Sequence, residues 1–145
     1  MISVQLVYDI EEITDLDDDW LHSTCTNILN DKDQDKATIS IILTNDEKLQ
    51  QLNKQYFQKD VLTDVITFNL EEDGDPVEGE IYISFNRVSE NAREFKQVTR
   101  RELKRVIIHG CLHLLGYDDQ SQEGKKEMTR LENHYLSQPV VPGEI

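Results

Sequence analysis

Cysteine, positive charge and long apolar runs are all scarce in this 145-residue chain. Two cysteines, Cys25 and Cys111, are too few for a disulfide framework, and both read as buried thiols of a reducing compartment. No apolar run reaches the roughly 18 residues that a membrane-spanning helix needs. The opening Met1-Ile-Ser-Val-Gln-Leu6 also lacks the basic-then-apolar layout of a secretory signal. The expectation is a cytoplasmic protein with no membrane partner. Lys and Arg number 15 against 29 Asp and Glu, a net charge of −14. Taken alone this argues against nucleic acid, because phosphate recognition draws on clustered cations, and DNA is not expected as a partner. Basic residues cluster once, in Arg100-Arg101-Glu-Leu-Lys104-Arg105, where a local positive patch is possible.

Repeats and interdomain linkers are missing as well, and the length fits one core. Residues 1–136 read as a single domain and 137–145, which hold two of the three prolines, as a loose C-terminal tail. Hydrophobic period supplies the elements. Ile2, Val4 and Leu6 alternate as a half-buried strand, and Ile39, Ile41 and Leu43 repeat the pattern, with Ile42 marking a more central strand. Val65–Leu70 and Glu80–Ser84 are strand-like runs separated by the acidic loop Glu71–Gly79. Helical spacing joins Trp20, Leu21, Cys25 and Ile28; then Leu49, Leu52 and Tyr56; then Val88, Ala92 and Phe95; and finally Met128, Leu131 and Tyr135. Capping-box sequences at Thr44-Asn-Asp-Glu47 and Thr99-Arg-Arg-Glu102 are expected to open two helices. The second of these should end at Gly116, and it is apolar on nearly all sides, as a central helix is. The order β-α-β-α-β-β-α-α-α implies an α+β domain: a mixed sheet of about four strands packed with about five helices.

The central helix carries His109 and His113, four residues apart and so on one face, about one turn from each other. Two imidazoles so placed can meet one metal ion. Either could instead be a hydrogen-bonded core residue, although histidines on an apolar helix need polar partners. Gly116 turns the chain back, and Asp119 becomes a candidate third ligand, with Asp118 as an alternative. Three protein ligands leave an open position, as in catalytic zinc sites. Cys111 points to the far side of the helix and reads as a core thiol.

His109-Gly-Cys-Leu-His-Leu-Leu-Gly-Tyr-Asp-Asp119 resembles the signature of the YbeY family, His-Gly-x-Leu-His-Leu-x-Gly-Tyr-Asp-His, in every specified place but the last. Within Leu52–Phe68, Thr63-Asp-Val-Ile-Thr-Phe68 is similar to a second family block, Thr-Asp-Val-Leu-Ser-Phe. Gly79-Glu-Ile-Tyr-Ile-Ser84 is similar to a third, Gly-Asp-Ile-x-Ile-Ser. The blocks extend over about residues 45–136. The resemblance implies a metal-dependent, single-strand-specific endoribonuclease of ribosomal RNA maturation, acting at the 3′ end of small-subunit RNA. It also implies one zinc ion, with His109, His113 and Asp119 in the ligand places. Two positions depart from the family. Asp119 stands where the family has histidine; this lowers the charge of the site, makes bound water less acidic and opens the site to other divalent metals. Phe57 stands where the family usually has an arginine that could grip phosphate, a role Lys59 could take as a point charge. Thr63 and Asp64 read as a turn into a strand, and no residue is assigned as catalytic.

Two other functions fit parts of the pattern. Zinc peptidases also use His-x-x-x-His but carry a glutamate after the first histidine, where this chain has Gly110. A non-catalytic, metal-stabilised ribosome-assembly factor fits the negative charge and Phe57. A nuclease this acidic is expected to meet ribosomal RNA on ribosomal particles or with a protein partner.

Overall fold

The computed structural model describes residues 1–10, 19–60 and 63–138. β1 (Ile2–Tyr8), β2 (Ala37–Thr44), β3 (Val65–Asn69) and β4 (Val77–Ser84) form one sheet in the order β1-β2-β4-β3. β2 lies parallel to both β1 and β4, and β3 returns antiparallel along β4 as an edge strand. Among the described residues, five α-helices accompany the sheet: α1 (Asp19–Asp31), α2 (Asp46–Leu52), α3 (Phe85–Glu94), α4 (Thr99–Leu114) and α5 (Gln122–Ser137). This is the α+β architecture that the sequence pattern implies.

The pleat sorts the strands' side chains into two layers. Ile2, Val4 and Leu6 pair in register with Ala37, Ile39 and Ile41, and Ile41 and Leu43 with Ile81 and Ile83, so all share one face. That face meets α1, α4 and α5 in the main core. The opposite face carries a smaller cluster, in which Leu49 and Leu52 of α2 close over Ile66, flanked by Phe68 and Tyr82. α4 is the central helix, with ten of its 16 residues buried. Each large aliphatic side chain buried on it stabilises the fold by about 1.5–3 kcal/mol. Gly110 lets it approach the sheet closely, since a Cβ there would stand 2.9 Å from Ile81 Cγ2.

Several local expectations are corrected. Thr44 ends β2 and donates its hydroxyl hydrogen to Asp9; Asn45 caps α2, accepting from the Lys48 amide at 3.0 Å. Val98, without a side-chain bond, is the N-cap of α4, which leaves Thr99 inside the helix. Glu102 turns to Arg105 instead of reaching back. Helix α2 stops at Leu52 and widens into a π-helical turn, Asn53–Phe57, closed by Gln58 at φ 55°. The wider turn rotates Tyr56 off the buried face and leaves it 57% exposed. Phe95 lies beyond α3 and is exposed, so Val88 and Ala92, with the partly buried Phe85, anchor that helix. β4 starts at Val77, which shortens the expected acidic loop. Helix α5 runs on to Ser137, and residues 139–145 of the expected tail lie outside the described residues.

Candidate metal centre

The end of α4 builds the site. Leu115 closes the helix and Gly116 takes φ 99°, a left-handed conformation that favours glycine. The Gly116 amide then donates to the His113 carbonyl, and the Tyr117 amide to the Leu112 carbonyl, both at 3.0 Å. These paired bonds form a Schellman motif. Asn69 at the end of β3 donates its side-chain amide to the Leu114 carbonyl at 2.9 Å, tying the helix end to the sheet.

The turn brings Asp119 back over the two histidines. His109 Nε2 and His113 Nε2 lie 2.9 Å apart, and Asp119 oxygens stand 3.7 Å from the first and 4.0 Å from the second. One ligand atom from each residue lies within 4.8 Å of the others, so the group could hold a metal ion. Tetrahedral zinc with ligands near 2.0–2.1 Å would space them by about 3.3 Å, so the donor set fits with small side-chain adjustments. Asp118 is engaged elsewhere, accepting from the Gln120 amide at 3.2 Å.

Behind the histidines lies a chain of charges. The His109 Nδ1–H group donates to Glu132 Oε2 at 2.8 Å, which leaves Nε2 as the lone-pair nitrogen facing Asp119 and His113. Arg105 donates to the other oxygen of Glu132 at 3.2 Å and grips Glu102 with bonds of 2.7 and 2.8 Å. Its guanidinium also stands 3.9 Å from the Asp64 carboxylate. Hydrogen bonding to Glu102 raises the Arg105 pKa further, despite partial burial, so its charge is permanent. Burial, followed by the neighbouring His109, lowers the pKa of His113 from its ordinary value of 6.5, although Asp119 opposes the shift. The neutral, metal-binding form of His113 is therefore favoured at neutral pH.

The site opens into a cleft of about 590 Å³. Its floor is α4, with Arg105, Val106, His109 and His113, and one wall is β3 with Asp64–Thr67. Buried Asn53 lines the cleft as well, and the exposed Phe57 and Lys59 lie at its rim. The expected basic patch is not continuous: Arg105 is ion-paired, Lys104 is buried, and Arg101 points to solvent. Cys111 faces away from the site, as its place on the helix implied, and packs 3.4 Å from Cys25 with both thiols free and buried.

Residues 5–139 match the sequence model of a family described as Endoribonuclease YbeY. The chain belongs to that family. The Endoribonuclease YbeY of Amoebophilus asiaticus is 42% identical over 118 residues, covering 81% of this chain and 78% of its own. Its Chlorobium limicola counterpart is 35% identical over 123 residues and covers 85% of each chain. The solution structure of TM1509 from Thermotoga maritima is similar, with a TM-score of 0.60 at 32% identity, covering 94% of this chain and 87% of that one.

Beyond the three expected ligand residues His109, His113 and Asp119, the structure adds Glu102, Arg105, Glu132 and Asp64, none of which was singled out from sequence as part of the site. A signal for Glu132 was present. It falls on the same helical stripe as Met128, Leu131 and Tyr135, and an acid among core positions needs a partner. Glu102, Arg105, His109 and His113 likewise recur at helical spacing on one face of α4.

Proposed function

We propose that this YbeY chain is a zinc-dependent endoribonuclease that cuts single-stranded RNA. Its place is ribosomal RNA processing in the cytoplasm, at the 3′ end of small-subunit RNA. The observation that carries the reading is the convergence of His109, His113 and Asp119 on one point at the floor of an open cleft. These three residues would hold the ion, and other divalent metals suit the carboxylate as well. When bound, the ion would supply positive charge to a phosphodiester oxygen and make water easier to deprotonate.

The chain's own residues do the positioning. Glu132, backed by Arg105 and Glu102, fixes the tautomer and orientation of His109. Asp64 lines the cleft wall 3.9 Å from the Arg105 guanidinium, which would orient its carboxylate toward the attacking oxygen. Lys59 brings a positive charge to the rim, where the next phosphate along the strand can rest. A peptidase reading fails on Gly110, which packs against Ile81 and not toward the cleft, so no glutamate-like base can act from that position.

The −14 charge favours RNA presented by a ribosomal particle or a basic protein partner over RNA met free in solution. The same charge supports a second reading, a non-catalytic assembly factor that keeps its metal for stability. Both are tested by measuring bound metal in wild type, His113→Ala and Asp119→Ala, and assaying each on ribosomal RNA precursors, on ribosomal particles and on casein. Stoichiometric metal and RNA cleavage in wild type, both lost in His113→Ala, are expected. Metal without cleavage, even on particles, would select the assembly factor, and a metal-free wild type would refute the centre itself.

A further inference from the structure

The cleft is larger than a phosphodiester requires, and its rim is aromatic where a cation would have been the ordinary choice for RNA. Phe57 lines the cleft together with His109, His113 and Asp119, yet it remains 43% exposed. Its ring lies nearly parallel to Phe68, with centroids 5.8 Å apart and 15° between planes. Phe68 is held edge-on from two further sides, by Tyr56 at 5.2 Å and Tyr82 at 5.8 Å. Phe57 is therefore braced by an aromatic cluster through an offset stack with Phe68, while 43% of its surface stays exposed.

The backbone maintains this display. The π-helical turn Asn53–Phe57 and the left-handed Gln58 set the ring at the rim, and the Lys59 amide donates to the Asn53 carbonyl at 3.1 Å to lock the turn. Leaving a phenyl ring in water costs free energy that burial in the neighbouring small core would have recovered. A π-helical turn frequently marks a functional position.

We propose that Phe57, backed by Phe68, is a stacking platform for one unpaired nucleobase of the RNA strand whose phosphodiester sits at the metal centre. The inference rests on the hydrolase reading for its ligand class. Every base offers a flat π-face, so such a platform is tolerant of sequence but requires the base to be out of a duplex. It adds affinity without adding charge, which suits a protein of net charge −14. Lys59 on the same rim then contacts the adjoining phosphate as a point charge.

The test uses zinc-loaded full-length protein and a short 2′-O-methyl oligoribonucleotide in which 2-aminopurine replaces successive bases, because stacking quenches its fluorescence. In wild type, quenching should be confined to one base position. Phe57→Leu keeps apolar contact with Phe68 but removes the π-face; it should weaken binding about 10-fold and abolish the quenching. In cleavage of the matching RNA it should raise KM while kcat stays nearly unchanged. Phe57→Trp, with a larger ring, should bind at least as tightly as wild type. If Phe57→Leu binds and quenches as wild type does while RNA is still cleaved, the platform is refuted and the hydrolase stands. If quenching depends on the ring but no RNA is cut, the platform stands and the hydrolase reading falls. Absence of binding in all three proteins refutes the platform outright.

Discussion

His109 can offer a metal only one ring nitrogen, and its affinity depends on what holds the other. Glu132 holds it at 2.8 Å and is itself held by Arg105. Glu132→Gln keeps an acceptor but loses the negative charge, so zinc affinity should fall about 10- to 100-fold, measured by competition with a chelator. Unchanged affinity would show that the contact is only structural. Acid should act on the neighbouring histidine. The folded chain holds the His113 pKa below 6.5, so the metal-free protein gains stability from this group above that pH and loses it as pH falls through the lowered value. The metal should be released over the same acid range, because the proton and the ion compete for one nitrogen. Zinc occupancy that is flat from neutral pH well into the acid range would contradict this. The candidate ligands could be singled out in sequence because they fall within eleven residues, on one helix and the turn after it. Glu132 and Asp64 were not read out, since each reaches the site from a different element, and no local spacing encodes that approach.

The elements themselves follow from periodicity, and their errors have specific causes. Both capping boxes were displaced by one residue. Thr44 is held in β2 by register with Ser84, and Glu102 finds in Arg105 a stronger partner than a backbone amide. Tyr56 was misplaced because a π-helical turn breaks the 3.6-residue period on which its burial was inferred. Two glycines set where α4 ends and how closely it packs. Gly116→Ala must place a side chain at φ 99°, which should cost about 1 kcal/mol and displace Asp119, lowering zinc affinity with it. Gly110→Ala pushes a methyl group against Ile81 instead, so it should cost about 1–3 kcal/mol in urea denaturation. Equal losses of metal in the two variants, after correction for stability, would refute the separate role of the turn.

For the whole molecule, charge is the dominant fact. The order of periodic elements gave the α+β class, and composition gave the net charge of −14 but not how the cations would be used. Arg105 looked available in sequence and is committed in the fold to Glu102, Glu132 and Asp64. Lys59 is then the cation on the cleft rim from which a phosphate contact is argued. Single-stranded RNA binding loses affinity with salt in proportion to the phosphates neutralised, so the log–log slope for isolated RNA should be no steeper than about −1. A slope of about −3 or steeper would mean that several cations outside the cleft also contact the strand. Long-range repulsion hinders encounter with any RNA, so the same sequence should be cut faster on a ribosomal particle than free at low salt only where a basic protein surface beside it attracts this acidic chain. The advantage should shrink as salt screens the negative field. Equal rates on both substrates at low salt would remove the reason for a presenting partner, leaving local contacts in the cleft to account for recognition.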